Sequence, residues 1–186
     1  MNIFDYRPIS STPWSLRKKL LNRLWELINS TVFRWSPRCM NRFRVGLLSC
    51  FGANIASDCS IHPTAVIDMP YLLTMKSQSS LGRGCYISAG PVYVGQKCCI
   101  GAFVKLLPSA HNINSTRFEY ESRPIHIEDG CWIATGTVIS PPAIGINIAA
   151  FSVIASGSVV TKSTIPFSIY GGNPAKFIKK RILEKQ

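Results

Sequence analysis

The chain has 186 residues, 46% of them apolar and 16% charged, with a formal charge of +12 at pH 7. This composition excludes wholesale disorder, because it supplies enough apolar surface for a core, and no apolar run approaches the ~18 residues of a spanning helix. The charge attracts anions of some class (nucleic acid, an acidic lipid surface or a phosphorylated ligand) without choosing among them.

In chain order, the opening MNIFDYRPISSTPW has no basic stretch followed by an apolar one, so no signal peptide is expected. Residues 14–29, WSLRKKLLNRLWELIN, predict a helix with Leu20, Leu21, Leu24, Trp25 and Ile28 on one face, and 36–50 a second helical stretch. Within residues 1–50 the bases Arg7, Arg17, Lys18, Lys19, Arg23, Arg34, Arg38, Arg42 and Arg44 stand against Asp5 and Glu26. Two readings of this helix remain open: its apolar face caps the first repeat, or it docks on an anionic membrane.

From residue 55 a repeat sets in. Aliphatic residues fall at Ile55, Ile61, Ile67; Met75, Leu81, Ile87; Val94, Ile100, Leu106; Ile127, Ile133, Ile139; and Ile148, Ile154, Val160, spaced by six within each group. Period six is neither a helix nor a long alternating strand. It describes a short strand and a turn, three of which return the chain to its starting side, so that stacked coils bury a column of aliphatics. The groups are separated by small corner insertions except between Leu106 and Ile127, where PSAHNINSTRFEYESRP carries no inward aliphatic. A long excursion on a rigid solenoid is a usual place for function. After Pro174, AKFIKKRILEK reads as a short terminal helix, and Lys176, Lys179, Lys180, Arg181 and Lys185 form a second basic cluster.

The seven cysteines show no CxxC spacing, and Cys59, Cys85, Cys98, Cys99 and Cys131 sit inside the repeats as small hydrophobes. A reduced, cytoplasmic setting fits.

The hexads, with VIASGSVVTKSTIP (153–166) and GGNPAKFIKK (171–180), resemble the acyltransferases of the left-handed β-helix, hexapeptide-repeat superfamily. The segments SLRKKLLNRLWELI, FRWSPR and FGANI leading into IHPTAVI are similar to its colanic-acid and capsule acetyltransferase branch. The expected fold is an all-β solenoid: a left-handed parallel β-helix of about five triangular coils over 51–166 with loop 107–126. An N-terminal basic helical region (1–50) precedes it, and a C-terminal tail and helix (167–186) close the chain. The resemblance implies a homotrimer with active sites in clefts between solenoids. It also implies acetyl-CoA as co-substrate without a metal, and a sugar hydroxyl of a bacterial polysaccharide or its precursor as acceptor.

Acetyl transfer to an alcohol needs a base for the hydroxyl proton, a donor for the thioester oxygen and a hold on CoA. Of the three histidines, His62 is expected at a coil corner and His126 pointing outward from a strand start. His111, in PSAHN, matches the family's catalytic base. Asn112 comes next, where related sequences often have Asp, so the group orienting the imidazole is not identified. By resemblance the oxyanion donor is the amide of Thr135, and Trp132 packs on the pantetheine arm. Ala155, Ser156, Thr161 and Lys162 lie along CoA, and Lys176 and Lys179 supply cations for its 3′-phosphate. Ser88 and Asn112 fall on the acceptor side.

Rival readings are a non-catalytic β-helix scaffold, or an acetyltransferase for a small acceptor such as an antibiotic, serine or an amino sugar. A zinc hydratase needs three converging histidines. A ping-pong route through Cys98 or Cys99 lacks a group to lower the thiol pKa. Nucleic-acid binding lacks a recognisable module.

Overall fold

The computed structural model describes residues 14–184. Asp5, Arg7, Pro13 and Lys185, and the reading of the chain's opening, lie outside the described residues.

Helix α1 (Leu16–Ile28) begins at Ser15, whose hydroxyl accepts from the Lys18 amide, and runs into a π-helical turn, Asn29–Phe33. Helix α2 (Asn41–Cys50) comes next, five residues shorter at its start than the expected stretch. The predicted apolar face of α1 is split in two. Trp25 is buried, its indole N–H donating to the Ile67 carbonyl, and Ile28 packs beside it, which caps the first coil. Leu20 and Leu24 point away and are exposed.

The solenoid then winds through five complete coils. They comprise β1 (Asn54–Ile55), β2 (Ser60–Ile61) and β3 (Val66–Ile67); β4 (Leu73–Met75), β5 (Ser80–Leu81) and β6 (Tyr86–Ile87); and β7 (Val92–Val94), β8 (Cys99–Ile100) and β9 (Lys105–Leu106). An excursion holds β10 (Ser109–His111) and β11 (Tyr120–Ser122). Two further coils comprise β12 (Ile125–Ile127), β13 (Trp132–Ile133) and β14 (Val138–Ile139), then β15 (Ile146–Ile148), β16 (Val153–Ile154) and β17 (Val159–Val160). Corresponding strands pair in parallel and make three faces, β1-β4-β7-β12-β15, β2-β5-β8-β13-β16 and β3-β6-β9-β14-β17.

Every predicted hexad aliphatic falls in register with its counterpart: Ile55, Met75, Val94, Ile127 and Ile148 stack on the first face, Ile61 to Ile154 on the second, and Ile67 to Val160 on the third. All but the half-buried Ile55 are buried, and each buried one contributes roughly 1.5–3 kcal/mol. The small residues between them, Ala65, Thr137, Ser152 and Ser158, are buried at the corners, where a larger side chain would not fit.

Two expectations are corrected. The tail after Pro174 is not a helix: β18 (Ser168–Gly172) pairs in parallel with β16, and β19 (Ala175–Lys180) folds back antiparallel on it. The free edge of the last coil offers this segment a ladder of hydrogen bonds, which outweighs its helix propensity. With β18 the solenoid reaches a sixth turn on its second face, slightly more than the five expected. The excursion 107–126 is also less irregular than its composition suggests, since β10 and β11 form an antiparallel hairpin.

Candidate active site

The β10–β11 hairpin leaves the solenoid at the edge between the third and first faces. Tyr120 Oη donates to the Ala89 carbonyl at 3.0 Å, and Arg123 pins the base of the hairpin through the Pro141 carbonyl and Glu121. His111 closes β10 and is exposed, with Tyr120 as its cross-strand partner. Its ring stacks on Phe118 at 4.5 Å and 3°. Its Nδ1 lies 2.9 Å from the Phe118 carbonyl oxygen. A carbonyl only accepts, so Nδ1 carries a proton, and in the neutral ring Nε2 presents the lone pair.

This supplies the orienting group that the sequence left unidentified. It is a backbone carbonyl held by the turn in which Phe118 takes a φ of +50°. Asn112 serves the loop instead, its Oδ1 accepting from the Asn114 amide. Sequence reasoning also missed the aromatic neighbourhood of this edge. Trp14 meets Tyr120 edge-on at 5.8 Å, and Lys18 lies 5.7 Å from the Trp14 ring and 5.6 Å from that of Tyr71. Tyr120 within EYES (119–122), an aromatic set between polar residues, was the available signal for a short strand bearing an aromatic. Ser88 is half-buried after β6, next to Ala89 and therefore near Tyr120.

The other expected residues lie elsewhere. Thr135 occupies the corner between the second and third faces, exposed, and its amide donates to no group among the described residues. Its carbonyl accepts from the Gly157 amide at 2.9 Å, which stacks this corner directly on Ser156–Gly157 one coil further. Ser156 is exposed there as well, and Ala155 is half-buried. Successive corners lie about 4.8 Å apart, so an extended chain along this edge meets one outward backbone amide per coil. Trp132, half exposed on β13, stands between Cys99 and Val153 on the second face. Thr161 and Lys162 come directly after β17, with Lys162 exposed. Lys176 and Lys179 are exposed on β19, opposite Gly171 and Ile169, rather than on a helix.

Thr135, Trp132 and Ser156 thus gather near one edge, while His111, Tyr120 and Ser88 gather at another, with the third face between them. A concavity of about 620 Å³, lined by Tyr93, His126 and Asn147, is on the first face and contains neither group.

The remaining histidines have structural partners. His62 sits between Arg38 and the Thr64 hydroxyl, and burial followed by the Arg38, Arg44 and Arg83 charges lowers its pKa. His126 stacks on Tyr93 at 4.5 Å. Among the described residues no three His, Cys, Asp or Glu side chains converge. Cys98 is buried, its thiol donating to the Glu128 carbonyl, whereas Cys99 is exposed beside Trp132. Two members of the expected basic clusters are also engaged: Arg44 is buried, and Arg181 donates to the carbonyls of Gly130 and Phe151.

No family model matches the chain. Individual proteins do. The Escherichia coli (strain K12) protein WcaF, named for an acetyltransferase role in colanic acid biosynthesis, is 31% identical over 161 residues, 86% of this chain and 87% of its own. Two solved structures share the fold. The hexapeptide-repeat-containing acetyltransferase VCA0836 of Vibrio cholerae O1 biovar eltor, complexed with acetyl coenzyme A, superposes with a TM-score of 0.79 at 21% identity, over 97% of this chain and 98% of that one. A maltose O-acetyltransferase from Clostridium difficile 630 gives 0.76 at 22% identity, over 91% and 92%. The solenoid is the left-handed β-helix of these enzymes. On the repeat, the register and the match along most of both sequences, the chain belongs to the hexapeptide-repeat acetyltransferases.

Proposed function

We propose that the protein transfers acetyl from acetyl-CoA directly to a hydroxyl of a saccharide, a bacterial polysaccharide or its precursor, in a cytoplasmic setting and as a homotrimer. The observation that carries this reading is His111, whose Nδ1–H is bound by the Phe118 carbonyl so that Nε2 is free to accept a proton.

Nε2 takes the hydroxyl proton as the oxygen attacks the thioester carbon. The oxyanion rests on the Thr135 amide, worth about 3–4 kcal/mol by comparison with other oxyanion holes. Collapse expels the CoA sulfur, which recovers the proton from the imidazolium and leaves the acetyl ester. The corner amide at Ser156 suits the pantetheine chain, with Trp132 against it. Thr161, Lys162, Lys176 and Lys179 serve the nucleotide end. On the acceptor side, Tyr120 and Trp14 offer ring faces to a sugar, with Ser88 and Asn112 as polar neighbours.

The separation of His111 from Thr135 on two edges of one prism supports a trimer in which each site takes the hairpin of one copy and the corner of the next. The named role of the WcaF relative supports the saccharide, and the seven free cysteines favour a reducing compartment.

The test is CoA release from acetyl-CoA with a panel of sugars, nucleotide sugars and oligosaccharides, for wild type and His111→Ala. Turnover on one acceptor, reduced on the order of 10²–10⁴-fold in a folded variant that still binds acetyl-CoA, is the expected result. Near-normal turnover in His111→Ala removes the general base. Absence of acetyl-CoA binding by the wild type removes the reaction.

A further inference from the structure

The face of α1 opposite Trp25 has no partner among the described residues. Leu16, Leu20, Leu24 and Leu27 are 51–74% exposed. At 100° per residue they fall within an arc of about 80°, a continuous apolar stripe along the helix. Arg17 borders the stripe on one side, and Lys19 and Arg23 border it on the other. Val32 and Trp35, just beyond the helix, are exposed as well. Between residues 14 and 50 the only acid is Glu26, and it is already paired with Arg23 at 2.9 Å.

We propose that this stripe, rimmed by cations, seats α1 in the headgroup layer of an anionic lipid bilayer. An apolar stripe with basic flanks is the pattern of a helix lying in the interface plane: the leucines enter the acyl boundary and the cations meet phosphates. No helix among the described residues is long and apolar enough to cross a membrane, so the contact is peripheral. Charge decides against the same stripe of a second copy as the occupant. Packing two such stripes together would bring Arg17, Lys19 and Arg23 against their own kind with no free carboxylate between them. Nucleic acid would meet the cations but leave the leucines in water. Trp25 and Ile28 already hold α1 on the solenoid, so the exposed leucines are not needed for capping.

The experiment is co-sedimentation of the full chain with vesicles of phosphatidylcholine alone or with a third phosphatidylglycerol, at low and high salt. Three proteins are compared: wild type, Leu20→Ser/Leu24→Ser and Arg17→Gln/Lys19→Gln/Arg23→Gln. The expected result is binding of wild type to anionic vesicles only, weakened by salt. The leucine variant binds roughly tenfold or more weakly, and the cation variant loses most of its salt dependence. Melting temperature and mass in solution are measured beside it. Wild type left in the supernatant at low salt, or undiminished binding by the leucine variant, overturns the proposal. So does a fall in oligomer mass in the leucine variant, which would assign the stripe to a second copy. The readout needs no turnover, so it stands or falls separately from the acetyl-transfer reading.

Discussion

Arg44 is a buried cation whose guanidinium meets no carboxylate among the described residues. Nε donates to the Ile61 carbonyl, Nη1 to Ser36 Oγ and the Pro37 carbonyl, and Nη2 to the Arg38 carbonyl, at 2.7–2.9 Å. It staples α2 and the preceding turn to the first coil, and burial lowers its pKa. In the sequence it is one base among nine; only its partners show that it adds little to the outward field. Arg44→Met removes the donors and strands three carbonyls, so a loss of about 2–4 kcal/mol is expected in urea unfolding. Arg44→Lys is expected to recover little of it, because an ammonium cannot reproduce the fork. His62, close by, gives a pH signature. Its folded-state pKa is lowered by burial first and then by Arg38, Arg44 and Arg83. An unfolded chain protonates His62 near pH ~6.5, before the folded one does, so the native state binds fewer protons in that window. Its share of stability is present above pH ~6.5 and is lost as pH falls toward the folded value. The wild-type melting temperature should therefore drop more steeply than that of His62→Asn between about pH 7 and pH 5. Parallel curves would mean that the ring is not held neutral.

At the scale of elements, the inward column was legible because each hexad carries its own instruction: one aliphatic every six residues, in a pattern that tertiary context does not alter. The C-terminal segment was not legible. AKFIKK has no strand character of its own until β18 presents an edge to it, and that pairing depends on how β16 is placed. The α1 helix was legible in position but not in orientation, because leucines ring much of its circumference and only Trp25 reveals the inner side. The site divided likewise. His111 stood out by its loop and by resemblance, whereas the Phe118 carbonyl that orients it is a backbone group that no side-chain pattern announces. Close stacking of coils gives a prediction here. A Cβ on Gly101 would lie 2.9 Å from both the Ile133 carbonyl oxygen and the Thr135 nitrogen, all backbone atoms. Gly101→Ala must push the next corner outward, which costs about 1–3 kcal/mol. It also moves the amide assigned to the oxyanion, so kcat should fall about tenfold or more while the acceptor KM changes less. Gly46→Ala is the control: nothing lies within 4 Å of its added methyl in α2, and stability should rise by up to about 1 kcal/mol. Equal effects on kcat from the two substitutions would detach the Gly101 corner from catalysis.

Taken as a whole, the molecule is a rigid prism whose chemical groups are divided between edges, and this division makes the assembly testable through activity alone. If each site combines His111 of one copy with Thr135 of the next, two defective chains can repair each other. His111→Ala keeps a sound corner. Thr135→Pro keeps a sound hairpin but has no amide at the oxyanion position, and the corner is a turn of the kind that accepts proline. Each variant alone should be inactive or nearly so. Unfolded together in equal amounts and refolded, they form mixed trimers. The hairpin at a given cleft then comes from a Thr135→Pro chain half the time, and the corner comes from a His111→Ala chain half the time. About a quarter of the clefts are then fully wild type, and about a quarter of wild-type activity should return. Mixing the folded variants without refolding should return much less, because intact trimers exchange chains slowly. Activity that stays at the sum of the two variants after refolding would place both groups of one site on a single chain, and the hairpin would then have to cross the third face of its own solenoid to reach Thr135.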